Sequence, residues 1–258
     1  MKQVTRYARC CSKLLRAGVV CCLMCLSVHG QISQPGSAAP PVANPSTVLD
    51  RAIEMYEARK YSVALGAFHE AAAAGRVEAA SYLGVMYSEG QGTSVNYEEA
   101  MVWLRKAAAA GNTQATCNIG VFYYRGLGVT RNYELARRWF RESASAGNEQ
   151  AMFNLGVMYR DGVGGAVDTG EAMAWFFRAA AALNDKAMNS MGVMYKNGEG
   201  VIVDYPEALR WFRKAADLGN AAAMFNLAKL YEQGLGVPKD AAEARKWFDK
   251  AALAERSE

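Results

Sequence analysis

Histidine–cysteine clusters, serine–lysine pairs and glycine-rich loops are the parts from which metal, acyl-transfer and phosphate sites are built. This chain carries few of them. It has two histidines in 258 residues, His29 and His69. Beyond residue 30 the imidazoles and thiols reduce to His69 and Cys117, too few to build a metal site. No lysine has a serine three residues before it, so the Ser-x-x-Lys nucleophile of acylating serine enzymes is missing. Cys117 occupies a repeated position held elsewhere by Ser81, Phe153, Asn189 and Phe225, and it reads as a small helix-face residue. Gly-x-Gly occurs at Gly90/Gly92, Gly126/Gly128, Gly162/Gly164, Gly198/Gly200 and Gly234/Gly236. A dinucleotide loop would need a preceding strand and a third glycine opening a helix. Each pair here follows a helical pattern, so turn geometry is the reading. The residues imply no catalytic, metal or cofactor-binding site, and no enzyme.

The elements that would have to position any site are repeated. Trp103, Trp139, Trp175, Trp211 and Trp247 stand 36 residues apart, and Tyr87, Tyr123, Tyr159, Tyr195 and Tyr231 keep the same step. A period of this length signals a solenoid, because each unit can bury its apolar face only against its neighbours. Within 79–87, Ala79, Leu83, Met86 and Tyr87 fall on one helical face. The glycines then end that helix. A second helix starts at Asn96, Asn132, Asp168, Asp204 and Asp240, with Glu99, Glu171, Glu207 and Glu243 three residues on and Leu135 as the exception. That spacing predicts an N-cap paired with a glutamate in a capping box. Ala100, Trp103, Leu104 and Ala107 form the stripe expected to be buried, and the tryptophans and tyrosines read as core. Gly84, Gly120, Gly156, Gly192 and Ala228 predict close approach of two helix backbones. Arg105, Lys106, Arg137, Arg138, Arg213 and Lys214 alternate with acids and predict a solvated outer face. The units run 79–114, 115–150, 151–186, 187–222 and 223–258, and 47–78 is a degenerate first copy.

Composition agrees with a folded body that has no general pull on polyanions. The chain is 52% hydrophobic and 21% charged, with a formal charge of +4. Residues 1–30 hold Lys2, Arg6, Arg9, Lys13 and Arg16 and no acid, so the remainder carries −1. Nucleic acid is therefore not an expected partner. Residues 17–28 are apolar and uncharged, too short to span a membrane, and the order of regions is that of a signal peptide cleaved after Gly30. An uncleaved membrane anchor is the other reading. Residues 31–46 are rich in Pro, Ser and Ala and read as a flexible linker. The expected location is exported, either periplasmic or extracellular.

The run LGVMYSEGQG…NYEEAMVWLRKAAAAGN and its four copies resemble the SEL-1-like repeat (SLR) family. The shorter turn of 47–78 resembles a tetratricopeptide repeat. The resemblance implies an all-α fold, a right-handed α-solenoid of about six helical hairpins, with a concave wall lined by the first helix of each unit. It also implies a non-enzymatic interaction scaffold that binds a protein or extended peptide, with no small-molecule substrate and no cofactor. Some relatives are associated with β-lactam chemistry, which leaves a β-lactam-interacting hydrolase as one alternative. The cysteine pairs of that cysteine-rich branch are absent here. A secreted host-interaction factor is the other alternative.

On such a wall the informative positions vary while the frame stays constant. Asn118, Asn154 and Asn226 lie two before the small helix residue, where related tetratricopeptide domains clamp a peptide backbone. Asparagine there is also common in the repeat for structural reasons. Arg125, Arg160, Lys186 and Lys196 would make the wall basic. The expectation is an extended, acidic segment across the central repeats, held by Phe153, Phe225, Arg160 and Lys196. In the fourth unit Thr169, Leu183 and Gly165-Ala166 depart from the pattern and predict a local change of packing angle. No polar capping helix follows Leu253, so the last repeat could mediate self-association.

Overall fold

The computed structural model describes residues 45–257. The expected signal peptide and residues 31–44 of the expected linker lie outside the described residues. The first helix begins at Pro45, so the last two residues of that linker are helical.

Among the described residues there are twelve helices and no strand. They are α1 Pro45–Glu57, α2 Tyr61–Ala73, α3 Glu78–Glu89, α4 Tyr97–Ala109, α5 Thr113–Arg125, α6 Tyr133–Ser145, α7 Glu149–Arg160, α8 Thr169–Ala181, α9 Asp185–Asn197, α10 Tyr205–Asp217, α11 Ala221–Gln233 and α12 Ala241–Ser257. The chain divides into two compact units. One extends to Phe122 and includes Leu127–Val129; the other holds Tyr123–Gly126 and everything from Thr130 on. In the first unit α1 pairs with α2, α2 with α3, and α3 with α4. In the second, each helix from α6 to α12 packs on the next, and the first helices α9 and α11 also touch.

The second helices of the five 36-residue units start as the spacing predicts, with one correction, while α2 has no side-chain cap. The side chains of Asn96, Asn132, Asp168, Asp204 and Asp240 accept the backbone N–H three residues on, at 2.8–3.0 Å. The reciprocal half of a capping box is not formed. The cap residue's own N–H goes instead to the carbonyl of Tyr87, Tyr123, Tyr159, Tyr195 or Tyr231, which holds the hairpin closed. Two of the glutamates take a different donor: Glu171 accepts from Trp175 Nε1 at 3.0 Å and Glu243 from Trp247 Nε1 at 2.9 Å.

The residue after four of the five tryptophans lies in the deepest core. Leu104, Phe140, Phe176 and Phe212 are 0–2% exposed. Trp175, Trp211 and Trp247 are buried, while Trp103 and Trp139 are partly buried. The small-residue column explains this depth and refines a second expectation. A Cβ on Gly156 would lie 2.7 Å from the Phe176 ring, and one on Gly192 would lie 2.5 Å from Phe212. Gly156 and Gly192 therefore receive a ring, whereas a Cβ on Gly84 would meet the Leu104 side chain at 2.7 Å and its backbone nitrogen at 3.4 Å. Ala228 keeps its Cβ, and its partner in register, Phe248, is only partly buried.

The second glycine of each turn is needed for contact as well as conformation. A Cβ on Gly128 would meet Tyr97 at 2.7 Å, and one on Gly236 would meet Tyr205 and Pro206 within 2.8 Å. In each case the turn of one hairpin lies on the start of the previous second helix. The fourth unit's departure also has a backbone consequence. Leu183 adopts φ 64° where Gly111, Gly147 and Gly219 adopt 86°, 93° and 93°. A leucine in the left-handed region carries a strain of about 1–2 kcal/mol.

Candidate interaction surface

In the second unit the first helices α7, α9 and α11 present three columns at i, i+4 and i+7. The columns are Phe153, Asn189 and Phe225; Val157, Val193 and Lys229; and Arg160, Lys196 and Glu232.

Phe153 and Phe225 share a register position but not an environment. Phe153 is partly buried and packs 5.8 Å from Phe176, so it belongs to the core edge. Phe225 is 48% exposed, with Phe248 edge-on at 5.3 Å. The Lys229 ammonium stands 5.9 Å from the Phe225 ring and 5.6 Å from Phe248.

The asparagines already have partners. Asn226 donates through Nδ2 to Asn189 Oδ1 at 3.0 Å, which ties α11 to α9. Asn154 accepts from Gln150 of its own helix at 3.1 Å. In the first unit Asn118 accepts from Gln114 at 3.1 Å. Cys117 is buried at 1% exposure. Another stitch between first helices comes from Asn220, which caps α11 and donates to Asp185 at 2.8 Å.

Part of the charge on this wall is paired locally. Arg160 binds Asp161 through two nitrogens, at 2.7 and 3.1 Å. That hydrogen bond raises the guanidinium pKa above its ordinary value. Lys229 pairs with Glu232 at 2.9 Å. Lys186 and Lys196 on α9 and Arg125 on α5 have no ion-pair partner among the described residues, so the basic character of the wall rests on these three. Lys229 was not among the expected residues, though its signal was present: it stands in a column otherwise filled by Val85, Val121, Val157 and Val193.

The repeated tyrosines also have a role that spacing did not reveal. Arg141 donates to the Tyr159 hydroxyl at 2.7 Å and Arg213 to Tyr231 at 2.8 Å, and His69 Nε2 lies 2.9 Å from the Tyr87 hydroxyl. Each bond joins one hairpin to the next. Phe177 stands at this register position before Tyr195 and has no such group to offer; it is 55% exposed, with Trp211 6.2 Å away.

No group of three or more metal-ligating side chains occurs among the described residues. Nor is any described helix long and apolar enough to cross a membrane. The helices, their hairpin pairing and the 36-residue register define an α-solenoid of helical repeats. The Sel1 repeat family model matches residues 77–112, 113–148, 149–182, 185–220 and 221–255, and the chain belongs to that family. The matched units begin two residues before those read from the sequence, and α1 and α2 lie outside them.

Solved structures agree. A Sel1 repeat protein from Oxalobacter formigenes is 32% identical, with TM-score 0.76 over 80% of this chain and 84% of that one. The protein c5321, a protective antigen present in uropathogenic Escherichia coli strains and displaying an SLR fold, is 30% identical with TM-score 0.74 over 81% of this chain. This chain spans 46% of the E. coli protein's length. The immunity protein Pa5087 from Pseudomonas aeruginosa shares the fold at 17% identity, with TM-score 0.57 over 84% of each chain. No curated protein matches the chain. Sel1 repeat proteins in general are non-enzymatic and mediate protein–protein interaction.

Proposed function

We propose that this chain is an exported, non-enzymatic adaptor that binds an extended segment of a partner protein along α7, α9 and α11. The observation that carries the reading is Phe225. A phenylalanine left 48% exposed beside the Asn189–Asn226 bond, with Phe248 against only one edge of its ring, offers the rest of the ring as an anchor. Lys196 supplies an unpaired charge on the same wall, which favours an acidic segment. Phe153 and Arg160 border the site rather than anchor the segment, because the core holds one and Asp161 the other. Asn154 and Asn226 keep their present partners and shape the wall; Asn118 does the same in the first unit. Export is supported by the five basic residues and the apolar stretch that precede Gln31. Similarity to a protective antigen points the same way.

The test is affinity capture from envelope extract with the full chain, run beside Phe225→Ala/Lys196→Ala. A partner lost from the double variant supports the proposal. A partner retained by it moves the site elsewhere, and a chain that dimerises and captures nothing replaces the adaptor with self-assembly through the last repeat.

A further inference from the structure

A cleft of about 370 Å³ opens in the first unit, at the end of α2, the turn after it, and the facing parts of α3 and α4. Its wall carries His69, Arg76, Ala80, Trp103 and Lys106 over a floor of small apolar residues. Two departures from the repeat frame coincide there. Arg76 stands where Asn112, Asn148, Asn184 and Asn220 cap a first helix, and α3 consequently has no side-chain cap. Ala80 is the smallest residue of a column that continues with Thr116, Met152, Met188 and Met224, of which Thr116, Met188 and Met224 are buried. Shortening that side chain frees volume, and exchanging asparagine for arginine gives up a cap. Neither change helps the fold.

What the cleft gains is a set of donors. Trp103 Nε1 and Arg76 Nε are buried without an acceptor. Trp175 and Trp247, by contrast, bond Glu171 and Glu243. Trp211 Nε1 is also without an acceptor, but Glu207 there is taken by Arg210 and Phe177 replaces the histidine. The Lys106 ammonium lies 4.0 Å over the Trp103 ring and has no carboxylate partner among the described residues. His69 sits edge-on to the same indole at 5.3 Å. Glu78 engages Arg76 through Nη2 at 3.2 Å and leaves Nε unmet. An indole N–H, a guanidinium and an ammonium around an apolar floor match a carboxylate next to an apolar side chain.

We infer that this cleft is a second binding site, which seats an aspartate or glutamate of a partner protein with its apolar neighbour against Trp103. Lys106 and Arg76 meet the carboxylate at the rim, and small side-chain adjustments bring the two buried donors onto it. The site stands apart from the wall of α7, α9 and α11, and neither inference depends on the other.

The probe is the blocked dipeptide N-acetyl-Glu-Leu-amide, titrated into the full chain while the tryptophan indole N–H signals are followed by NMR. N-acetyl-Gln-Leu-amide is the uncharged control, and Trp103→Phe assigns the signal. A saturable shift of the Trp103 indole with the glutamate probe alone is expected, with Trp247 unmoved. Arg76→Asn and Ala80→Met should each weaken binding about tenfold or more. Both restore what other repeats carry, so the variants should melt no earlier than the parent. Lys106→Gln, at an exposed side chain, gives the same reading if either does. Absence of a Trp103 shift up to about 10 mM probe, an equal shift with the glutamine probe, or undiminished binding in the variants would overturn the inference.

Discussion

The hairpin α3/α4 and the hairpins α7/α8 and α9/α10 are built to one plan and differ where the plan is relaxed. In α9/α10, Asn184 caps the first helix, Met188 is buried, and the Phe212 ring fills the space over Gly192. In α3/α4, an arginine replaces the asparagine, an alanine replaces the methionine, and Leu104 takes the place of the ring over Gly84. The frame bonds persist in both: Asn96 and Asp204 cap their second helices, and Tyr87 and Tyr195 accept the cap amides. What differs is therefore the content of the interface rather than the path of the chain. A repeat protein can leave its frame alone and place function in the few columns the frame does not need.

That comparison can be broken first at the ring-on-glycine contact. Phe212→Ala should destabilise the second unit by about 3–5 kcal/mol in denaturant unfolding, through loss of burial and the cavity left behind. Gly192→Ala should cost about 1–3 kcal/mol in the same assay, because the new Cβ meets a fully buried ring. The two regions should then respond with opposite signs to exchanges at one register position. Asn184→Ala should lose about 1 kcal/mol by uncapping α9, and Arg76→Asn should gain about 1 kcal/mol by capping α3. Leu183→Gly should stabilise the second unit by about 1 kcal/mol, as glycine relieves the left-handed backbone.

The smallest effect expected is on pH. The Lys246 hydrogen bond, aided by that from Trp247, holds the Glu243 carboxyl below its ordinary value of 4.5. A depressed folded-state value means that its contribution is complete above the unfolded value and is lost as pH falls through the lowered one. The Trp247 indole N–H signal should shift in that acid window, and Glu243→Gln should flatten the titration.

Much of the frame was legible because it is written five times. The tryptophan and tyrosine steps, the Asn/Asp caps and the glycine turns each recur at one spacing, and the structure uses them locally, within a few residues. The cross-hairpin bonds were not legible. Arg141 to Tyr159 and Arg213 to Tyr231 join residues 18 apart, a distance no helical pattern encodes. The glutamates three after the caps suggested a capping box because the motif is local, but the tyrosine carbonyl claimed the amide first. The candidate site was legible in part. Phe153 and Phe225 look alike in sequence, and only packing separates them: one ring lies against Phe176 over Gly156, the other beside a partly buried Phe248. Arg160 was expected to be an open charge, and its neighbour Asp161 closes it. Lys229 and Arg76 were visible only as exceptions within otherwise uniform columns, and Ala80 only as the smallest residue of a column that also holds Thr116 and three methionines.

The central claim is that a partner segment lies along α7, α9 and α11. Hydrogen–deuterium exchange of the full chain, with and without the captured partner, tests it most directly. The account predicts added protection in peptides that contain Lys196, Phe225 and Lys229, with the second helices α8, α10 and α12 unchanged. Protection confined to those second helices, or none in the second unit at all, would contradict it.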